Sequence, residues 1–283
     1  MRLKEGRIYQ LSKKIEEDIT SRETSLSKPQ RIGLADIAAS ALARRSVNTT
    51  ELSSVLPHKV KDQESCFRYI HHWLSNDKID PQSVIKNWNQ ELMKLLSARG
   101  ETLVLMLDQS KIADGFEVLM VSIRTKERAI PVSGTDIGIL KIDALEQVRL
   151  CDKVLTNLDY LQEPGHEEPW IIAMDGKPTC SRTLDYGLRW GIESMFSDLK
   201  SRGFKLTDTR LKTVERLARL LLVLSTAMMW AVSTEWLEHA VEPVKKLARS
   251  LLSAFTAGIR IIRRAVFYHT NIPNLWLYLK SIR

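Results

Sequence analysis

The sequence has few of the residues that stabilise secreted or zinc-binding proteins. Its 283 residues include three cysteines, Cys66, Cys151 and Cys180, which are far apart and odd in number. No C-x-x-C pair occurs among them, so neither a disulfide framework nor a cysteine-based zinc site is predicted. A reducing cytoplasm is therefore expected.

Long apolar segments are also scarce. The segment from Met1 to Lys14 mixes charges without an apolar centre, which is not the pattern of a signal peptide. One extended apolar run, Leu220 to Thr234, is shorter than the roughly 20 residues that a membrane-spanning helix needs. We expect a buried core helix there and no membrane partner. A membrane-associated protein is the alternative, which cell fractionation would test.

The composition is that of a globular protein with a basic surplus. Hydrophobic residues make up 44% of the chain and charged residues 27%, which is typical of a soluble protein with a sizeable core. The formal net charge is +8 at pH 7. Such a surplus favours a polyanionic partner, most commonly nucleic acid, although charge alone does not identify one.

The sequence from about Lys28 to Ser97 shows helical periodicity. Apolar residues recur at intervals of three and four, the spacing of one helix face, first at Leu34, Ile37, Ala38, Ala41 and Leu42. Further helices are predicted after Thr50, around Cys66 to Leu74, and from Pro81, because proline suits the first turn of a helix. The predicted module is all-helical, and its basic polar faces are either solvated surface or DNA contacts.

The pattern changes to strands after residue 100. Thr102 to Leu107 is a continuous apolar run, typical of a strand buried on both faces, and it predicts that Asp108 lies at the strand's C-terminal end. Phe116 to Ile123 and Ala129 to Val132 are further strand candidates, and Asp114-Gly115 is a turn signal between the first two strands. A sheet that begins with a meander is expected.

The rest of the chain returns to helices. Residues 133–170 are ambiguous, and Ile142 to Val148 fits either a helix or a strand. Trp170 to Met174 is another strand candidate, ending at Asp175. Helices are predicted over about 181–201, 209–238 and 243–268. The chain is thus divided into a helical module (1–97), an α/β core (98–208) and a helical C-terminal region (209–283).

One helix, from Leu184 to Lys200, has an unusual polar stripe. Its members are spaced by three, four and seven residues: Tyr186, Arg189, Glu193 and Lys200. These intervals place all four on one side of a helix, next to an apolar face (Leu188, Ile192, Met195, Phe196 and Leu199). The simplest alternative is that Arg189 and Glu193 form an ordinary surface pair.

The spacing resembles the Y-x2-R-x3-E-x6-K signature of DDE transposases from bacterial insertion sequences, in the insertion-sequence-four group. Asp108 matches the first catalytic aspartate of that family, and Trp170 to Met174 resembles the strand before the signature helix. Asp198 to Phe204, and Ala248 to Phe255 with Gly258, are similar to the segments that follow. The resemblance implies an RNase H-like mixed sheet with flanking helices in the α/β core, and a DNA-binding role for the N-terminal module.

The resemblance also implies a chemistry. Asp108 and Glu193 would be catalytic and would ligate Mg2+, or Mn2+ in its place, because phosphodiester cleavage uses two hard cations held by carboxylates. Tyr186, Arg189 and Lys200 would contact phosphates at the transposon end beside the cut. The implied partners are transposon-end and target DNA, and a second copy of the chain in a homodimer on paired ends.

The match fails at the family's second catalytic aspartate. Only 85 residues separate Asp108 from Glu193, and no aspartate between them follows the expected apolar strand. The poor candidates are Asp136, Asp143, Asp152 and Asp159, with Asp175 a low-ranking third metal ligand. We hypothesise an internal deletion after about Val132 that shortened the core around 133–170.

Two other functions stay open. One is a catalytically defective remnant that binds DNA without cutting it. The other is a helix-turn-helix regulator, which accounts neither for the strand that leads to Asp108 nor for the Tyr186 to Lys200 spacing.

Overall fold

The structure is a computed structural model, and it describes residues 6–22, 25–57, 62–97, 105–113, 116–125, 128–131, 138–140, 157–161, 170–174, 190–241 and 253–272. The helices in the described residues are α1 (Arg7–Ser21), α2 (Lys28–Arg44), α3 (Thr49–Ser53), α4 (Gln63–Leu74), α5 (Pro81–Ser97), α6 (Trp190–Ser197), α7 (Val214–Val241) and α8 (Ala254–Phe267). A π-helical turn, Asp198–Arg202, follows α6, and a 3-10 turn, Leu206–Asp208, comes before α7.

The described strands form two antiparallel sheets. They are β1 (Leu105–Ala113), β2 (Phe116–Thr125), β3 (Arg128–Pro131), β4 (Gly138–Leu140), β5 (Asn157–Leu161) and β6 (Trp170–Met174). β2 pairs with β1 on one edge, and its other edge takes β3 near one end and β4 near the other. β5 and β6 form a separate pair. A mixed RNase H-like sheet stays a prediction, because all pairings among the described strands are antiparallel.

Helices from the two ends of the chain share one core. α7 packs against α2, α4, α5 and α8, while α1 packs against α2 and α8. The buried face of α1 (Leu11, Ile15 and Ile19) joins the same cluster as Leu221 and Trp230 of α7. We call this assembly of α1 to α5, α7 and α8 the helical body. The N-terminal module and the C-terminal region of the sequence are therefore packed together.

Buried polar groups connect the elements of the helical body. Asp18 is 2% exposed and accepts hydrogen bonds from the Trp230 indole N–H at 3.1 Å and from Arg22 Nη2 at 2.9 Å. Arg22 also pairs with Glu91 and lies over the ring of Trp88 at 4.4 Å. This single network links α1, α5 and α7, since a buried charge is stable only when it is paired and hydrogen-bonded.

Two glycines allow helices to approach closely. A Cβ at Gly258 would overlap with the backbone carbonyl of Ala231, so α8 crosses α7 with the two backbones in contact. A Cβ at Gly33 would overlap with the indole ring of Trp73, whose N–H donates to the carbonyl of Gln30 at 3.0 Å. At both positions any side chain would force the helices apart.

The apolar run in the sequence is part of the central helix. Val214–Glu238 is long and apolar enough to cross a membrane, but 89% of its most apolar window is buried inside the protein. The prediction of a buried core helix is confirmed by this packing, because the apolar side chains are covered by the protein's own helices.

Most of the predicted elements among the described residues are present, while α1, β4 and β5 were not predicted and one position needs correction. The four helices predicted from Lys28 onward, the first three strands and the Trp170–Met174 strand are confirmed. The prediction that Asp108 ends its strand is wrong, because β1 continues to Ala113. The Asp114-Gly115 turn and the segment Ile142 to Val148 lie outside the described residues.

Candidate functional site

Asp108 lies in the middle of β1, on the face that is covered by a helix. Met106, Asp108 and Ser110 alternate along the strand and share this face, before the pairing becomes irregular between Lys111 and Ala113. Met106 and Ile112 are buried, whereas Asp108 and Ser110 are half-buried. Asp108 is directly opposite the buried Met120 of β2. The strand thus holds a carboxylate and a hydroxyl at the border of an apolar layer.

Helix α6 covers this face of the sheet and presents Glu193 to solvent. Ile192, Met195, Phe196 and Leu199 are all buried, as predicted for the apolar face of the signature helix. The helix contacts β1, β2 and β3. Glu193 is exposed, so it is not part of the core. The apolar face docks the helix and leaves this carboxylate at the surface beside the sheet.

Lys200 connects the helix to the strand of Asp108. Its ammonium group donates a hydrogen bond of 2.6 Å to the hydroxyl of Ser110, two residues after Asp108 on the same face of β1. Its Nζ also lies 5.9 Å from the centre of the Phe196 ring. Burial lowers the pKa of Lys200, since partial desolvation disfavours the charged form.

The signature segment is not one continuous α-helix. The α-helix ends at Ser197, and Lys200 lies on the π-helical turn Asp198–Arg202. A π-helical turn changes the angular relation between Glu193 and Lys200, so the straight polar stripe predicted from α-helical spacing is wrong at its last member. Single π turns of this kind are frequent at functional sites.

Tertiary contacts hold the π turn in place. The N–H of Phe204 donates to the carbonyl of Asp198 at 3.1 Å, and a Cβ at Gly203 would overlap with that same carbonyl. The Phe204 ring packs edge-on against Phe255 of α8, with centroids 5.2 Å apart. The guanidinium of Arg45, at the end of α2, donates to the carbonyl of Arg202. The turn that bears Lys200 is thereby fixed to the helical body.

The remaining predicted site residues lie outside the described residues. Tyr186 and Arg189, predicted to grip phosphates, are among them, as is Asp175, the low-ranking third ligand. The four other candidate aspartates are also outside: Asp136, Asp143, Asp152 and, by its side chain, Asp159. The structure therefore brings together the elements that carry Asp108, Glu193 and Lys200, and the other predictions stay untested.

The two carboxylates on these elements suit a single hard cation better than a pair. Mg2+ is commonly held by one or two carboxylates together with substrate phosphates and water. Asp108 and Glu193 offer such oxygen ligands on facing elements. In the part of the chain that the structure describes, no group of three or more His, Cys, Asp or Glu residues could hold a metal. A two-metal site would need a further carboxylate from outside that part.

The described residues enclose a small cavity next to helix α6. A cavity of about 10 Å³ between the sheet, α6 and the helical body is lined by Ala129, Met195, Met228 and Phe255. Such a volume holds about one water molecule. Of the polar groups of the site, Glu193 is exposed, and Asp108, Ser110 and Lys200 are half-buried.

Sequence reasoning missed two residues of this region. Ser110 could have been found, because strand alternation places it on the same face as Asp108. Arg45 gave no sequence signal, since its bond to the carbonyl of Arg202 depends on how α2 packs beside the π turn.

No protein-family model, curated protein or solved structure matches this chain. The resemblance to DDE transposases therefore depends on residues of the sequence itself.

Proposed function

We propose that this protein is a transposase of the DDE type, which binds the ends of a bacterial insertion sequence and cuts and joins DNA phosphodiester bonds. The observation that supports it most is the hydrogen bond between Lys200 and Ser110. It brings the helix that bears Glu193, the best match to the family signature, onto the strand that bears Asp108.

The proposal gives each group a role. Asp108 and Glu193 would hold Mg2+, and a second ion would need a further carboxylate. Two such ions would supply the activation of a water molecule and the stabilisation of the leaving 3′-oxygen. Lys200, beside Asp108, would supply positive charge for a phosphate near the cut. Tyr186 and Arg189 would hold neighbouring phosphates, Arg189 by its bidentate guanidinium. The protein would act in the bacterial cytoplasm, as a homodimer on paired DNA ends.

A nicking assay tests this proposal. Purified protein would be incubated with a duplex that carries the inverted repeat of its own element, with Mg2+ or with EDTA. We expect cleavage in Mg2+ that is lost in EDTA and in the Asp108→Asn variant. Glu51→Gln, an exposed change on α3, is the control. If Asp108→Asn cuts as well as the wild type, Asp108 is not a metal ligand.

The second candidate function is a DNA-binding remnant that no longer cuts. What favours it is the missing second aspartate in the sequence between Asp108 and Glu193. The remnant would bind element ends in a salt-dependent manner, as the active enzyme would, because both neutralise phosphates. It would show no metal-dependent nicking. If cleavage does occur, Asp175→Ala is the first variant to test for the third ligand.

A further inference from the structure

The net charge of the chain is concentrated at its C-terminal end. The segment from Pro243 to Arg283 contains eight Lys and Arg residues and no Asp or Glu. It therefore holds a charge equal to the formal net charge of the whole chain, +8, and the rest of the sequence is neutral overall. A segment of one sign in an otherwise balanced protein indicates a surface for a polyanion.

Helix α8 displays part of this charge together with aromatic rings. Arg260 and Arg264 are exposed one turn apart, and Arg263 lies 5.6 Å from the centre of the Phe267 ring. Phe267 is 51% exposed and Tyr268 is 78% exposed, and the exposed His269 follows them. We call these six residues the α8 surface.

The α8 surface is on a firmly held element. Arg7 of α1 donates two hydrogen bonds, of 3.2 and 3.1 Å, to the carbonyl of Ala265 in the last turn of α8. Lys14 of α1 donates to the carbonyl of Ile272 just beyond the helix. These cations suit the negative end of the helix dipole. The exposed rings are thus held out from an anchored helix end.

The apolar face of α8 is not available to a lipid bilayer. Phe255, Ile259, Ile262 and Val266 are buried in the helical body, next to the close crossing at Gly258. An amphipathic helix that lies in a membrane needs its apolar face free. The groups that α8 and the residue after it expose to solvent are instead guanidinium groups and the rings of Phe267 and Tyr268.

We propose that the α8 surface binds single-stranded DNA, with the arginines on phosphates and the rings of Phe267 and Tyr268 stacked on unpaired bases. Stacking needs bases that are free of a duplex, which is why exposed rings beside cations are typical of single-strand binding. Duplex DNA would engage the arginines but not the rings. The surface is distinct from the Asp108–Glu193 site, and the inference does not require that the protein cuts DNA.

Binding to labelled oligonucleotides tests the proposal. The probes are an oligothymidylate of about 16 nucleotides, enough for one site, and a duplex of the same length. We expect the full-length protein to bind the single strand more tightly. Phe267→Leu with Tyr268→Leu should weaken single-strand binding about tenfold or more and leave duplex binding unchanged. Tyr268→Phe keeps the ring and should bind like the wild type.

Charge variants and vesicles complete the experiment. Arg260→Gln with Arg264→Gln should weaken binding to both probes and flatten the salt dependence. Lys78→Gln with Lys86→Gln removes the same charge from exposed positions elsewhere and should have a much smaller effect. The proposal is overturned if the ring variant binds both probes like the wild type or loses both equally. Ring-dependent binding to phosphatidylserine vesicles without oligonucleotide binding would overturn it in favour of a membrane.

The test is independent of the proposed cutting activity. The wild type should bind the single strand through the α8 surface whether or not it nicks DNA. Absence of metal-dependent nicking in the wild type, together with single-strand binding, would therefore count against the catalytic proposal alone.

Discussion

The helical body and the sheet covered by α6 are held together in different ways. The helical body has a buried ion network around Asp18, helix backbones in contact at Gly258, and apolar residues from both ends of the chain. In the α6–sheet layer, the apolar face of the helix packs on the sheet. The described polar contacts across this layer include the hydrogen bond from Lys200 to Ser110. Stability is expected to depend mainly on the first region and activity on the second.

The difference follows from what each region must do. A buried charge costs several kcal/mol unless it is paired, so the network at Asp18 is useful only where the packing does not change. A catalytic carboxylate must remain open to its substrate, and Glu193 is exposed for that reason in our proposal. Substitutions in the two regions should therefore separate folding from function.

The largest expected effect is at Asp18. Asp18→Ala leaves Arg22 and the Trp230 N–H without their shared partner, and we expect the free energy of unfolding to fall by about 3–5 kcal/mol. Urea denaturation followed by circular dichroism measures this. Glu91→Gln removes the charge of the more exposed partner of Arg22 without a change of side-chain shape, and it should cost less. Equal losses in the two variants would contradict a network centred on the Asp18 carboxylate.

The same carboxyl gives a pH dependence of known sign. Burial raises the pKa of Asp18 in spite of the pairing with Arg22. The folded state therefore binds this proton more tightly than the unfolded chain, where the pKa is about 3.9. The stability from this group is complete below that value and falls as the pH rises through the higher pKa of the folded state. Asp18→Asn should remove that part of the slope when urea unfolding is compared between pH 4 and pH 7.

A smaller loss is expected at the crossing of α7 and α8. Gly258→Ala adds a methyl group against the carbonyl of Ala231 and should lower the free energy of unfolding by about 1–3 kcal/mol. Alanine is otherwise favoured over glycine inside a helix by about 1 kcal/mol. A net loss of stability in Gly258→Ala would therefore show that the backbones of α7 and α8 are in close contact at this position. Arg260→Ala, an exposed change on α8, is the control and should stay within about 0.5 kcal/mol of the wild type.

The contact between the two elements of the site should matter less for folding. Ser110→Ala removes the acceptor of the Lys200 ammonium, and we expect a stability loss of about 1 kcal/mol. Under the proposed function, Mg2+-dependent nicking should fall more than this loss explains, because the helix of Glu193 is less well positioned on β1. Ser110→Thr keeps the hydroxyl and should retain most of the stability and most of the nicking activity. A normal nicking rate in Ser110→Ala would show that the bond does not position the site.

The parts of the fold that sequence could predict are those set by local periodicity. The apolar runs before Asp108 and after the Asp114-Gly115 turn signal predicted the β1–β2 pair. Helix α1 was missed although Leu11, Ile15 and Ile19 are four residues apart, because the charged residues among them hid the pattern. The π turn could not be predicted from the sequence, because it depends on tertiary contacts. Gly203 packs against the carbonyl of Asp198, and the Phe204 ring packs against the Phe255 ring. The position of Asp108 was predicted wrongly because a half-buried strand can continue through polar residues.

The smallest expected effect on stability belongs to the residue with the largest proposed effect on activity. Glu193→Gln replaces an exposed carboxylate by an amide of the same shape, so the free energy of unfolding should change by less than about 0.5 kcal/mol. Under the proposed function this variant should lose nicking, and it should also lose the rise in melting temperature that Mg2+ gives to the wild type, because a bound ion stabilises only the folded state. Differential scanning fluorimetry with and without Mg2+ measures this even where cutting is absent. A Mg2+-induced rise that survives in Glu193→Gln but not in Asp108→Asn would assign the ion to β1 alone and remove Glu193 from the site.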